Sequence, residues 1–314
     1  MDGSIIIQIA LLLVGFVFLI KGSDFFVDGA SSIASLLKIP TIIVGLTIVA
    51  IGTSAPEAAV SITSAITGNN AIAVSNVIGS NLFNILLIIG LCATLKELPI
   101  EKKLLSVDLP ILICVTLLVS AFILIGWDIG RVEGIILLVI LIIYLTYLVK
   151  SAKKSDASEF VEKPKLGLAK SIIFIIIGFI GIVLGGNFVV DSASNIALAV
   201  GMSETLVGLT IVAIGTSLPE LVTSVTALRK GENDLVIGNV VGSNIFNILF
   251  VLGASSALSP ITLSSSMIID IALMIFVTIL CYIFARTQDK FDKKEGILLM
   301  LLFVAYMAFA IMRN

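Results

Sequence analysis

"VGLTIVAIGTSAPE" at residues 44–57 returns as "VGLTIVAIGTSLPE" at 207–220, identical at thirteen of fourteen positions. Each copy ends in a glutamate, Glu57 and Glu220, set inside an apolar run where a carboxylate is expensive. Sliding the second half onto the first keeps a constant offset of 163 from Gly15/Gly178 to Leu95/Leu258. Beyond that the register slips by one: Asp108 matches Asp270, "EGI" at 133–135 matches 295–297, and Tyr144 matches Tyr306. The duplication covers nearly the whole chain, and repeats of this length define the architecture before any other signal does.

Of the 314 residues, 59% are hydrophobic and 13% charged, with a mean hydropathy of +1.21. A soluble domain carries about twice that share of charge, and several runs here exceed the ~20 residues needed to cross a bilayer. The chain therefore reads as an all-α polytopic membrane protein. Apolar runs predict ten transmembrane helices at 4–33, 41–66, 71–94, 105–125, 132–150, 168–197, 204–228, 234–258, 266–285 and 295–312. Five precede and five follow the polar stretch "SAKKSDASEFVEKPKL" at 151–166, which divides the chain into 1–150, a linker 151–167, and 168–314. The first run has no cationic start or cleavage site and is read as a spanning helix, not a removed signal.

Five is an odd number, so the second copy enters the membrane from the opposite side: two inverted five-helix repeats, a secondary-transporter design. With both termini outside the cell, the cytoplasmic segments hold Lys38, Lys96, Lys102, Lys103, the six lysines from Lys150 to Lys170, Arg229, Lys230, Arg286, Lys290, Lys293 and Lys294. That is sixteen of the nineteen basic residues, and the positive-inside rule favours this orientation in the plasma membrane, with the linker cytoplasmic. A net charge of −2 gives no sign of a nucleic-acid partner. No obligate protein partner is evident, and the lipid bilayer is the expected surrounding.

In "GTSAPE" and "GTSLPE" a proline falls in mid-span. Pro56 cannot donate to the Gly52 carbonyl, and its ring forces that turn open. The expected result is a helix broken at bilayer depth, tolerated only where it faces protein or a wet cavity. Freed carbonyls, the hydroxyls of Thr53 and Ser54, and the Glu57 carboxylate make a hard-oxygen set, repeated at Thr216, Ser217 and Glu220. A second duplicated motif follows, "SNVIGSNLFN" at 75–84 and "GNVVGSNIFN" at 238–247. Ser80 and Asn84 share one helix face, as do Ser243 and Asn247. Gly79 and Gly242 are expected to let helices approach closely. The chain has no histidine, and its cysteines (Cys92, Cys114, Cys281) lie scattered as packing residues. Oxygen-only ligation suits Ca²⁺ and Na⁺ and disfavours zinc, copper and iron.

Other polar residues have plainer readings. Thr47, Ser64 and Thr210 are expected to join neighbouring helices. Asp24, Asp28 and Asp191 lie toward span ends, solvated or paired with Lys21. Asp108, Asp270, Glu133 and Glu295 are read as interfacial anchors and Trp127 as an outer-interface aromatic.

The paired "GTS-x-PE" and "GSN-xx-N" motifs, present twice, resemble the alpha-repeats of the calcium/cation antiporter superfamily, in its sodium/calcium exchanger branch. The resemblance spans both halves. It implies ten helices around a mid-membrane cation cluster, with Glu57 and Glu220 binding Ca²⁺ beside the carbonyls of Thr53 and Thr216. It further implies Na⁺ sites built from Ser54, Ser80, Asn84, Ser217, Ser243 and the backbone of Ala50 and Ala213, with about three Na⁺ exchanged per Ca²⁺. Potassium-dependent relatives, and some potassium-independent ones, carry an aspartate where this chain has Asn247, so two carboxylates stand at this centre, not three. No cofactor is implied; Na⁺ and Ca²⁺ are the transported ions. A Ca²⁺/H⁺ antiporter is the alternative within transport, and a passive cation channel is the alternative outside antiport. No phosphate loop or nucleophile–base pair suggests an enzyme.

Overall fold

With no water to bond in hydrocarbon, long apolar runs satisfy their backbone as helices. The computed structural model describes residues 3–126, 128–153, 164–202, 211, 213–262 and 267–313. Its helices are α1 (Gly3–Leu37), α2 (Thr41–Thr53), α3 (Ala55–Ile66), α4 (Ile72–Leu95), α5 (Leu104–Gly126) and α6 (Arg131–Ala152), followed by α7 (Leu168–Ala199), α8 (Ala213–Thr216), α9 (Leu218–Lys230), α10 (Asn233–Leu258), α11 (Ile268–Thr287) and α12 (Lys293–Arg313). Among the described residues eight helices are long and apolar enough to span a bilayer, and the bent pair α2–α3 makes a ninth. The start of the expected seventh span with Thr210, Trp127 and most of the linker lie outside the described residues.

α4 and α10 form the centre. Every residue of α10 from Leu235 to Phe246 is buried. Around them the outer helices turn apolar side chains outward, for example Leu13 and Val17 on α1 and Ile173, Ile176 and Ile180 on α7. In a multi-pass membrane protein those faces meet lipid.

α1 and α7 cross antiparallel on glycine notches. Gly15, Gly22 and Gly29 face Gly185, Gly178 and Ser171, and a Cβ on Gly22 would stand 2.9 Å from the Gly178 carbonyl oxygen. Backbones meet this closely only where side chains are absent. Gly238 and Gly242 of α10 receive α2 in the same manner: a Cβ on Gly242 would lie 2.7 Å from Leu46 Cα. A Cβ on Gly79 would meet nothing within 4 Å among the described residues, and most of the segment 204–212 that matches the start of α2 lies outside them.

Four short strands pin the loops. β1 (Leu98–Pro99) pairs with β4 (Lys290–Phe291), and β2 (Asp128–Ile129) pairs with β3 (Ile261–Thr262), both antiparallel. β1 and β3 follow the matched helices α4 and α10, yet they belong to different sheets. β1 and β2 flank α5, so the two sheets sit at its opposite ends.

Several plain readings are corrected. Asp108 is no interfacial anchor: it is 2% exposed and accepts a hydrogen bond at 3.0 Å from Tyr144 Oη of α6. Asp270 takes Arg313 at 2.8 Å, and Glu295 closes a capping box with Asp292. Thr47 bonds back to Ile43 O at 2.6 Å within its own helix, where the carbonyl one turn earlier is nearer than any neighbour. Lys230, not Lys21, is the closer partner of Asp24 and Asp28, at 3.5 and 2.9 Å against 4.0 Å for Lys21 to Asp24. Cys92 and Cys281 are buried, whereas Cys114 is exposed on α5.

Candidate functional site

The break falls where proline demands it. α2 ends at Thr53, Ser54 leaves the helical region (φ −82°, ψ 7°), and α3 restarts with Pro56 in its first turn, bent by 49°. Ser217 (φ −92°, ψ 4°) stands at the matched point between α8 and α9. Glu57 stands in the first turn of α3, immediately beyond this break.

Both glutamates are fully buried, and their bonds cross between the halves. Ser217 Oγ donates to Glu57 Oε1, and Ser54 Oγ donates to Glu220 Oε1, each at 2.9 Å. Each serine therefore serves the glutamate of the other half. Ser80 Oγ approaches Glu57 Oε1 at 3.5 Å and lies 3.1 Å from Ser217 Oγ. Ser243 Oγ stands 3.5 Å from Thr53 Oγ1. Asn84 and Asn247, one turn beyond Ser80 and Ser243, are also fully buried. Asn84 lies in the π-helical segment Phe83–Ile89, and Asn247 opens the segment Asn247–Leu252. Such turns recur at functional sites because they re-aim side chains out of regular helical register.

The threonine hydroxyls are spoken for. Thr53 Oγ1 donates to Asn239 Oδ1 at 3.0 Å, and Thr216 Oγ1 donates to Asn76 Oδ1 at 3.3 Å. Having donated its proton to Asn239, the Thr53 hydroxyl keeps its lone-pair acceptor capacity, and its main-chain carbonyl lies at the break. Ala50 O accepts the Ser54 amide at 3.0 Å, and Ala213 opens α8.

Sequence reasoning overlooked Asn76, Asn239, Asn81 and Asn244. Asn76 Nδ2 holds Ser61 Oγ (2.9 Å) and Glu57 O (3.3 Å), and Asn239 Nδ2 holds Ser224 Oγ (3.0 Å) and Glu220 O (3.4 Å). The signal was there: these residues recur at the same offset inside the second motif, and Asn76 precedes Ser80 by one turn.

Four oxygens at this centre are buried with no hydrogen-bond partner among the described residues: Glu57 Oε2, Glu220 Oε2, Asn84 Oδ1 and Asn247 Oδ1. An orphaned buried acceptor costs about 1–3 kcal/mol, and more when charged. Two carboxylates held in low dielectric with outward-facing oxygens are arranged to receive a cation. Among the described residues no third acidic, histidine or cysteine side chain joins them.

A family profile described as "Sodium/calcium exchanger protein" matches residues 7–150 and 170–312. The chain is 39% identical to the putative antiporter CaxA of Alkalimonas amylolytica, over 94% of this chain and 96% of that one. It is 34% identical to the sodium/calcium exchanger MaX1 of Methanosarcina acetivorans, over 96% and 98%. Its structure is similar to that of the sodium-calcium exchanger NCX_Mj soaked with Na⁺ and Sr²⁺, at a TM-score of 0.87 and 32% identity, covering 97% of this chain and 98% of that one.

Proposed function

The chain belongs to the sodium/calcium exchanger protein family, and we propose that it exchanges Na⁺ for Ca²⁺ across the plasma membrane by alternating access. The single observation that carries this reading is the set of four buried, partnerless oxygens on Glu57, Glu220, Asn84 and Asn247. Ca²⁺ lies between the two carboxylates, assisted by the carbonyls of Thr53 and Thr216. Na⁺ uses the same carboxylates with Ser54, Ser217, Ser80, Ser243, Asn84, Asn247 and the carbonyls of Ala50 and Ala213. Two carboxylates balance one Ca²⁺. About three Na⁺ leave the loaded site with one net positive charge, so exchange is electrogenic. Na⁺ and Ca²⁺ are cargo, and carrying them needs no cofactor.

The two halves, 1–150 and 168–314, act as inverted five-helix repeats, ten helices in all. The reciprocal serine–glutamate bonds and the swapped pairing of β1 with β4 and β2 with β3 support that symmetry. The linker lies in the cytoplasm and both termini outside, as the lysine and arginine distribution favours. α1 and α7 slide across the remaining helices as the gate. They touch the site through Phe26 over Gly52 and Val190 over Gly215, and they carry few ligand-type groups in mid-span.

Purified protein in Na⁺-loaded vesicles, diluted into medium free of Na⁺ and K⁺, is expected to take up ⁴⁵Ca²⁺ until the Na⁺ gradient is dissipated. Uptake driven by a pH gradient with no Na⁺ present would overturn this in favour of Ca²⁺/H⁺ antiport. Flux indifferent to any counter-ion would overturn it in favour of a channel.

A further inference from the structure

Four amides join α4 to α10 at the centre of the molecule. Asn81 Nδ2 donates to the Asn244 main-chain carbonyl, and Asn244 Nδ2 donates to the Asn81 carbonyl, both at 3.3 Å. Asn84 Nδ2 donates to Asn244 Oδ1 at 2.9 Å, and Asn247 Nδ2 donates to Asn81 Oδ1 at 3.2 Å. None of the four residues is more than 2% exposed.

The direction of every bond follows from the first. A main-chain carbonyl can only accept, so the atom of Asn244 that faces Asn81 O must be its nitrogen. Its oxygen is then turned toward Asn84, which must answer with nitrogen. The remaining atom of Asn84 is its carbonyl oxygen. The same chain of necessity runs from Asn81 to Asn247. Each path ends on an oxygen that is buried and partnerless, Asn84 Oδ1 and Asn247 Oδ1. A carbonyl oxygen has two lone pairs, so Asn81 O and Asn244 O accept these amides without leaving their helices.

We propose that Asn81 and Asn244 are positioning residues that lock the two central amides with oxygen inward, so that Asn84 and Asn247 present acceptors to the transported cations. An asparagine side chain rotated by half a turn has nearly the same shape but offers two N–H donors, which repel a cation. The ring excludes that rotamer: a flipped Asn84 would set oxygen against the Asn244 oxygen, and Asn244 cannot turn without setting its own oxygen against the Asn81 carbonyl. Specificity for cations at this end of the site is thereby written into residues that touch no ion. The inference rests on the reading of Asn84 and Asn247 as cation ligands.

The experiment compares Asn244→Leu, Asn84→Leu and the double variant with wild type, by Na⁺ displacement of bound ⁴⁵Ca²⁺ in detergent and by the Na⁺ dependence of ⁴⁵Ca²⁺ exchange in vesicles. Asn244→Ala, which adds no bulk, is the second variant should leucine prevent folding, and Asn81 with Asn247 repeats the series in the other half. Asn244→Leu is expected to weaken Na⁺ binding by about tenfold, the worth of one good hydrogen bond, and to raise the half-saturating Na⁺ concentration more than it lowers the maximal rate. In the Asn84→Leu background the second substitution is expected to change affinity no further, since the residue acts only through Asn84. Wild-type affinity in Asn244→Leu and Asn244→Ala, or equal losses with and without Asn84, would overturn the proposal. Wild-type affinity in Asn84→Leu would remove its premise, while loss of binding in Glu57→Gln in the same assay would leave the exchange reading standing.

Discussion

At the residue scale, the account turns on why a membrane interior keeps two acids. Glu57 and Glu220 are each held by one hydroxyl of the opposite half, leaving one oxygen apiece open. Glu57→Gln and Glu220→Gln are each expected to abolish Ca²⁺ transport while the protein elutes from gel filtration as wild type. Removing either charge leaves a dication half balanced in low dielectric. Wild-type Ca²⁺ flux in either variant would contradict the assignment. A second buried acid serves structure: Asp108 depends on the Tyr144 hydroxyl, whereas its counterpart Asp270 takes Arg313. Tyr144→Phe is expected to cost about 1–3 kcal/mol, read as a lower melting temperature in detergent, and Tyr306→Phe distinctly less. Equal losses would refute the distinction. The duplicated glutamates and prolines were legible in the chain, because one intramembrane acid repeated beside one helix breaker has few structural explanations. The amide ring was not, because partners 160 to 166 residues apart leave no local signature; only the common offset hinted at it.

At the scale of elements, the helix breaks, the central place of α4 and α10, and the long α1 and α7 follow from apolar length and proline position. What sequence did not reveal is the π-helical segments and the pairing of β1 with β4, since both are set by contacts between distant parts of the chain. The asymmetry between halves also needs the structure. Lys230, at the end of α9, reaches Asp28 (2.9 Å), Asp24 (3.5 Å) and the Asp24 carbonyl (2.8 Å), while Ser31 bonds Glu232 beyond it. Gly231 makes this corner possible by turning at φ +83°. The matched positions in the other half are Thr67, Asn187 and Asp191, with no lysine. An ionic latch therefore holds α1 to α9 at one end only. Lys230→Met is expected to speed maleimide labelling of a lone cysteine at Thr223, which faces Ser23 across this contact at 3.2 Å. Part-exposed pairs are worth about 1 kcal/mol at most, so the change should reach about fivefold. An unchanged rate would mean that the latch holds nothing.

At the scale of the whole molecule, the two halves of a duplicated chain meet through reciprocal serine–glutamate bonds, and the proposed transport requires that one part move past them. Crosslinking both α1 and α7 to the helices they cover is expected to stop exchange, measured as ⁴⁵Ca²⁺ flux before and after reduction of the crosslinks; undiminished flux in verified crosslinked protein would refute the sliding gate. Charge balance is the most exposed part of the account, because it joins the two carboxylates, the two amides and the absent histidine in one number. With three Na⁺ leaving for each Ca²⁺ entering, one positive charge departs per cycle. At equal Ca²⁺ on both sides, a tenfold outward Na⁺ gradient is then balanced by about 180 mV, interior negative. The decisive measurement is Na⁺-driven ⁴⁵Ca²⁺ uptake in K⁺-free vesicles whose voltage is clamped by an ionophore on either side of zero. The account predicts uptake that quickens when the interior is positive and slows when it is negative; uptake indifferent to voltage, or absent until K⁺ is added, would contradict it.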